Sequence, residues 1–176
     1  MIRVLPSDAI PLEADAILRS VSSEMEALTG FGRELERRAG AGPSERLRAM
    51  GELPVGAAVI TPGGDLAVPF IIHVVLQSAD EPVTPGSVRA GLKNGLRRAE
   101  EWSLETLAMP ALGSGAGNLD AEEAAALMVP LLWNHLRESE SPREVLILVG
   151  TGYEADVFSR AVDLARGTPR VSDRRD

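Results

Sequence analysis

Gly113-Ser114-Gly115-Ala116-Gly117 is the stretch of this chain best equipped for chemistry. It follows a short apolar run, Thr106-Leu107-Ala108-Met109, and precedes a helix-opening Asp120-Ala121-Glu122-Glu123. Strand, glycine loop and helix N-terminus form a cradle for phosphate. Glycines let backbone N–H groups approach an anion, and the positive end of a helix dipole faces it. The Ser114 hydroxyl adds a donor. By itself a Gly-x-Gly can equally be a tight turn, so the elements around it decide.

Those elements alternate. Met1–Leu5 and Asp15–Val21 read as strands, and Leu28-Thr29-Gly30-Phe31-Gly32 as a second glycine-bearing loop that opens a helix over Arg33–Ala39. Gly40-Ala41-Gly42-Pro43 should stop that helix, and Ser44 should cap the next, which runs to Met50. Val55–Ile60 and the apolar run Pro69–Leu76 read as a hairpin, with a turn at Thr61-Pro62-Gly63-Gly64. Val88, Leu92, Leu96 and Ala99 recur at helical spacing in Ser87–Trp102. A long apolar helix over Asp120–Leu136 contains Pro130, which should kink it or limit its first half. Glu144–Val149 is the last strand, Gly150-Thr151-Gly152 its exit and Tyr153–Ala165 the last helix. The pattern predicts a three-layer α/β/α sandwich with a central mixed β-sheet, formed by one domain over residues 1–166. Residues 167–176 read as a polar, disordered tail. The glycine-bearing segments at 30–32, 113–117 and 150–152 all follow strands, and ligands of open α/β sheets bind at the strands' carboxyl ends.

Bulk properties narrow the chemistry. The absence of cysteine excludes thiolate metal sites and a Cys nucleophile, and two histidines cannot build a His-rich metal centre, so no metal and no cofactor are expected. A net charge of -8 argues against nonspecific nucleic-acid binding, and 3% aromatic content argues against a base-stacking platform. No apolar run approaches the roughly 20 residues that span a bilayer. Met1–Leu5 is too short for a signal peptide, so a cytoplasmic protein is expected. His73, within an apolar run, reads as a core residue, and Trp102 and Trp133 as packing anchors. A dinucleotide-binding dehydrogenase does not fit: Asn118 stands where the third glycine of its fingerprint belongs.

The order and content of these segments resemble the macrodomain, an ADP-ribose-binding fold. The most specific parts are Leu53-Pro54-Val55-Gly56-Ala57-Ala58-Val59-Ile60-Thr61, then Ile71-Ile72-His73-Val74-Val75, and Pro110-Ala111-Leu112-Gly113-Ser114-Gly115. The resemblance covers about Met1 to Ala165. It implies that Asp8, with Ala9 beside it, accepts from the adenine amine. It places Gly30, Phe31 and Gly32 on a first phosphate loop, and Gly113, Ser114, Gly115, Ala116 and Gly117 on a second. Gly150 falls where the family often has an aromatic. The family's Asn-Ala-Ala-Asn element reads Arg19-Ser20-Val21-Ser22 here, so Arg19 and Ser22 replace both asparagines near the distal ribose. Gly32 stands where some hydrolytic members carry Asp. The resemblance therefore implies a module that binds ADP-ribose, a related ADP-containing small molecule or an ADP-ribosylated protein, with no catalytic residue assigned. The alternatives are a hydrolase of ADP-ribosyl or O-acetyl-ADP-ribose bonds, and a degenerate scaffold without binding.

Overall fold

In the computed structural model, residues 1–8, 13–115 and 118–167 are described. Ala9, Ala116, Gly117 and the expected tail from residue 168 onward lie outside that set. The described residues form β1 (Ile2–Pro6), β2 (Ala16–Ser22), α1 (Gly30–Ala39), α2 (Ala41–Met50), β3 (Ala58–Pro62) and β4 (Phe70–Gln77). There follow α3 (Pro85–Glu101), β5 (Thr106–Pro110), α4 (Ala121–Glu138), β6 (Glu144–Val149) and α5 (Gly152–Gly167).

The strands make one sheet in the order β1-β6-β5-β2-β4-β3. Only β3 runs antiparallel, paired with β4 as the expected hairpin. Alternation along each strand separates two cores. Ala16 and Leu18 of β2 face the larger cluster, with Ile72, Val74 and Leu76 of β4 and the buried faces of α3, α4 and α5. Ile17 faces the other side with Ile71, Leu35 and Ala39, and Val21 does so with Val75 and Leu47. The sheet is thus covered by α3, α4 and α5 on one face and by α1 and α2 on the other. This is the three-layer sandwich expected from the sequence.

The close fit of α3 depends on glycine. A Cβ at Gly91 would come 2.7 Å from Leu76 Cδ2, and one at Gly95 would come 2.7 Å from Leu18 Cδ1. The α3 backbone therefore lies directly on β2 and β4.

Three local expectations change. Residues 30–32 are not a loop but the first turn of α1, where the Thr29 hydroxyl accepts from Gly32 N–H. Ser44 does not cap α2: Gly40, at φ 78°, ends α1 and begins α2, and the Ser44 hydroxyl donates to Glu36 Oε1 at 2.8 Å. Pro43 sits in the first turn of α2, where a missing N–H costs no helical bond. Pro130 does not end α4, which runs on to Glu138 with Pro130 exposed and Val129 and Leu132 holding the buried face.

Candidate functional site

All strands except β3 point their carboxyl ends the same way, so the exits of β1, β6, β5 and β2 line up along one edge in that order. At the β1 exit Ser7 N–H donates to Val149 O at 2.9 Å, tying the turn before Asp8 to the end of β6. Asp8 itself is exposed. At the β6 exit, a Cβ built on Gly150 would lie 3.8 Å from Ser7 Oγ and 3.7 Å from Glu154 Oε2. At the β5 exit, one built on Gly115 would lie 3.9 Å from Thr29 Cγ2, at the N-terminus of α1. The edge therefore brings together Ser7 and Asp8, Gly150 and Glu154, Ser114 and Gly115, and the first turn of α1.

The β5 loop is held rigidly at its base. Gly113 has φ 81°, and a Cβ there would come 2.6 Å from Leu119 Cδ1 and 3.0 Å from Val88 Cγ2. Leu119 N–H closes back on Gly113 O at 3.3 Å, and the Asn118 side chain donates to Val83 O at 2.6 Å. Gly115, at φ 78°, is exposed, and among the described residues a Cβ there would meet only Thr29 Cγ2, at 3.9 Å. One glycine of this loop thus serves packing, and the next leaves open backbone beside the α1 N-terminus.

Glu154 was not anticipated from the sequence. Its carboxylate accepts from Gly150 N–H at 2.8 Å and from the Ser114 hydroxyl at 3.3 Å, joining the β6 and β5 exits. Its own N–H donates to the Thr151 hydroxyl at 3.1 Å. The signal was present: Thr151-Gly152-Tyr153-Glu154 has the Thr-x-x-Glu spacing of a capping box, in which the acid reaches back to a backbone N–H. Here it reaches one residue further, to Gly150. The Ser114 hydroxyl, expected to serve a phosphate, is directed at this carboxylate. Tyr153 is exposed and donates to Glu122 on α4.

Other residues singled out from the sequence sit elsewhere. Ser22 is half-buried, and its hydroxyl accepts from Glu26 N–H at 3.2 Å within the turn after β2. Phe31 packs with Leu5 and Leu66 against the α1 side of the sheet. Gly30 is exposed on the first turn of α1. Gly32 is buried; a Cβ there would meet Ala27 Cβ at 3.3 Å, so the helix start packs too closely for a side chain to enter freely.

Arg19 is only 2% exposed. It lies opposite His73 in the β2–β4 register, and its Nε–H donates to His73 Nδ1 at 2.9 Å. Its Nη1 donates to Gly32 O at 3.3 Å and to Glu36 Oε2 at 3.2 Å. Because His73 Nδ1 accepts, Nε2 carries the ring proton and donates to Thr61 Oγ1 at 2.9 Å, which in turn donates to Pro62 O at 3.1 Å. Burial, with the Arg19 charge adding to it, pushes the His73 pKa well below 6.5, so the ring is neutral. Glu36 ionises more readily than an ordinary Glu: burial opposes this, but the Ser44 hydroxyl and the Arg19 charge outweigh it. This polar chain crosses the face that α1 and α2 cover.

A cavity of about 640 Å³ lies between α4 and α5, lined chiefly by apolar side chains such as Val129, Trp133 and Val157. None of the expected ligand-binding residues lines it. Among the described residues no three His, Asp or Glu side chains are grouped to hold a metal, and no helix is long and apolar enough to cross a membrane.

Comparison with known proteins agrees with this architecture. Residues 20–128 match the family model "Macro domain". An uncharacterised protein of Aeropyrum pernix is 33% identical over 165 residues, covering 88% of this chain and 81% of that protein. An uncharacterised protein of Mycobacterium tuberculosis is 27% identical over 169 residues, covering 96% of this chain but 46% of its own length. The chain thus spans about half the length of that relative. Among solved structures, the Oceanobacillus iheyensis macrodomain with ADP superposes with a TM-score of 0.75 at 19% identity, covering 86% of this chain and 84% of that one. A point mutant of the same macrodomain with ADPR superposes at 0.78 and 18% identity, covering 89% and 88%. With the family model matching more than half of the chain and a relative 33% identical over most of both chains, the protein belongs to the Macro domain family.

Proposed function

We propose that the protein binds ADP-ribose, or a closely related ADP-containing small molecule, along the carboxyl edge of its sheet. The observation that carries this reading is the meeting of the β5 loop with the N-terminus of α1, where exposed Gly115 lies against Thr29. Open backbone at φ 78° beside a helix N-terminus suits a diphosphate, which needs N–H donors and a positive dipole rather than a basic side chain. That matters in a chain of net charge -8.

The strand order supports one direction for the ligand. Adenine lies at the β1 exit, its amine donating to Asp8, and the diphosphate lies over the β5 loop and α1. The distal ribose then falls beyond, near the end of β2. Neighbouring strands are about 4.8 Å apart, so the β1-to-β5 span of roughly 10 Å suits an adenosine with its first phosphates. The family membership and the ADP-bound and ADPR-bound relatives support the same ligand class. An ADP-ribosylated protein would present the same chemical group.

Binding is favoured over hydrolysis because Arg19, at one of the positions where the family has asparagine, is committed to His73, Gly32 and Glu36 inside the fold. A guanidinium is in any case always protonated and a poor base. The test is calorimetric titration with ADP-ribose, with AMP and NAD as comparators. Micromolar binding that prefers ADP-ribose is expected, and absence of heat at millimolar ADP-ribose would overturn the reading.

A further inference from the structure

We propose that Glu154 reads the vicinal diol of the ligand's adenosine ribose and rejects a ligand phosphorylated on that ribose. The inference rests on the ADP-ribose reading above and extends it to specificity. Between the β1 exit, with Asp8, and the β5 loop, with Gly115, lies the β6 exit. In an ADP-containing ligand the group between adenine and diphosphate is the adenosine ribose. The side chain that the structure puts at this intermediate position is Glu154: its Oε2 accepts from Gly150 N–H, where an added Cβ would also lie 3.8 Å from Ser7 Oγ, and its Oε1 accepts from the Ser114 hydroxyl.

The carboxylate is fixed in advance. Gly150 N–H holds one oxygen and the Ser114 hydroxyl the other. The Thr151 hydroxyl anchors the backbone below it. A carboxylate offers about four lone-pair positions, so each oxygen keeps one for an incoming donor. Two oxygens with one open position each match the two hydroxyls of a ribose. Dinucleotide-binding folds use an acidic residue for the same purpose, and accept a 2′-phosphate only when a cation takes its place. A phosphate on the ribose would lose the donor and bring like charges together. Glu154 is half-buried, so water screens that repulsion only in part.

The test compares ADP-ribose with ADP-ribose 2′-phosphate by calorimetry, on the wild-type chain and on Glu154→Gln. Gln keeps an acceptor for Gly150 N–H but loses the charge and one acceptor oxygen. The wild type should bind the 2′-phosphate at least about tenfold more weakly, the loss expected for a charge-assisted hydrogen bond. Glu154→Gln should weaken ADP-ribose binding and bring the two ligands within about threefold of each other. Asp8→Ala, at the adenine end, should weaken both ligands alike and preserve the ratio. Equal wild-type binding of the two ligands, or a ratio unchanged in Glu154→Gln, would overturn the Glu154 assignment and leave the ADP-ribose reading standing. The wild-type ratio is informative without any variant. A wild type that binds neither ligand would overturn both.

Discussion

His73 should make this protein's stability fall as pH drops below about 6.5, before ordinary carboxylates titrate. The ring is 0% exposed and held as the Nε2–H tautomer between Arg19 and Thr61. A second proton would have to go on Nδ1, which faces the Nε–H of a buried guanidinium, so donor would meet donor and cation would meet cation. The folded-state pKa is therefore well below 6.5. The unfolded chain, with an ordinary His, takes up a proton near 6.5 that the folded chain refuses. Stability rises with pH wherever the unfolded state binds more protons. The contribution is fully present above about pH 6.5 and declines as pH falls toward the depressed folded value. While the folded ring stays neutral, the loss is at most about 1.4 kcal/mol per pH unit below the unfolded value. For a chain of this size that lowers Tm by up to about 3–6 °C per pH unit. The assay is thermal unfolding by circular dichroism at constant ionic strength from about pH 7.5 to 5.5, on the wild type and on His73→Gln, whose amide can accept from Arg19 and donate to Thr61. The wild type should show the slope and the variant should lose most of it, whatever its absolute Tm. A variant with the wild-type slope would refute the buried neutral ring as its source.

Asp8→Ala should weaken ADP-ribose binding by about 1.5–3 kcal/mol, the range for one hydrogen bond to a charged group, as read by calorimetry. Gly115→Val should abolish that binding while leaving a cooperative melt, because among the described residues only Thr29 lies near the added Cβ; its cost to stability is the strain of a branched residue at positive φ, roughly 1–2 kcal/mol. Gly95→Val should do the reverse: it drives methyls into Leu18 and Val74, and overpacking of this kind costs about 1–3 kcal/mol or more in chemical denaturation. Glu36→Gln removes the countercharge of a buried Arg19; since Glu36 is itself part-exposed, a loss of about 1–3 kcal/mol is expected, between the surface and the buried limits. A Glu36→Gln melt within a degree of the wild type would show that the pair adds nothing.

What could be read from the sequence was local. Strand and helix runs follow from apolar spacing, and Glu144–Val149 emerges with both ends as expected because Pro142 and Gly150 bound it. The Gly113–Gly115 loop was legible because positive φ calls for glycine. What escaped depends on register and on contacts between distant segments. Arg19 looks, within its strand, like a charged residue replacing a ligand-facing asparagine. Only the β2–β4 register shows that it stands opposite His73, and only the α1 docking brings Glu36 to its other end. Ser44 has the residue type of a cap, but Gly40 turns the chain earlier and Glu36 takes the hydroxyl. Glu154 was hidden because a surface acid in an opening helical turn ordinarily serves its own helix, and here it spans two strand exits.

Arg19 and Gly32 are better understood together than as two separate departures from the family pattern. A buried guanidinium must have its donors satisfied, and Gly32 O is one of the acceptors that satisfies them. To deliver that carbonyl, the first turn of α1 must lie close to β2; at Gly32 it does so with only 3.3 Å to Ala27 for any added Cβ. An Asp at this position would need room that the same close approach removes. One exchange thus makes the other structurally consistent: Arg19 holds the helix start inward, and a Cβ at Gly32 would force Ala27 to give by a few tenths of an ångström. The outcome is an α1 N-terminus fixed from below by a buried charge. Under the proposed ADP-ribose reading, N–H groups and Gly115 backbone, rather than acidic or amide side chains, would face an incoming diphosphate. Restoring Asn at Arg19 alone would empty the Arg19–Glu36–Gly32 contacts without reopening Gly32. Arg19→Asn is therefore expected to lower Tm by several degrees and to add no hydrolytic activity toward an ADP-ribosylated carboxylate ester. Gain of hydrolysis by that single substitution would break the coupling between the two positions.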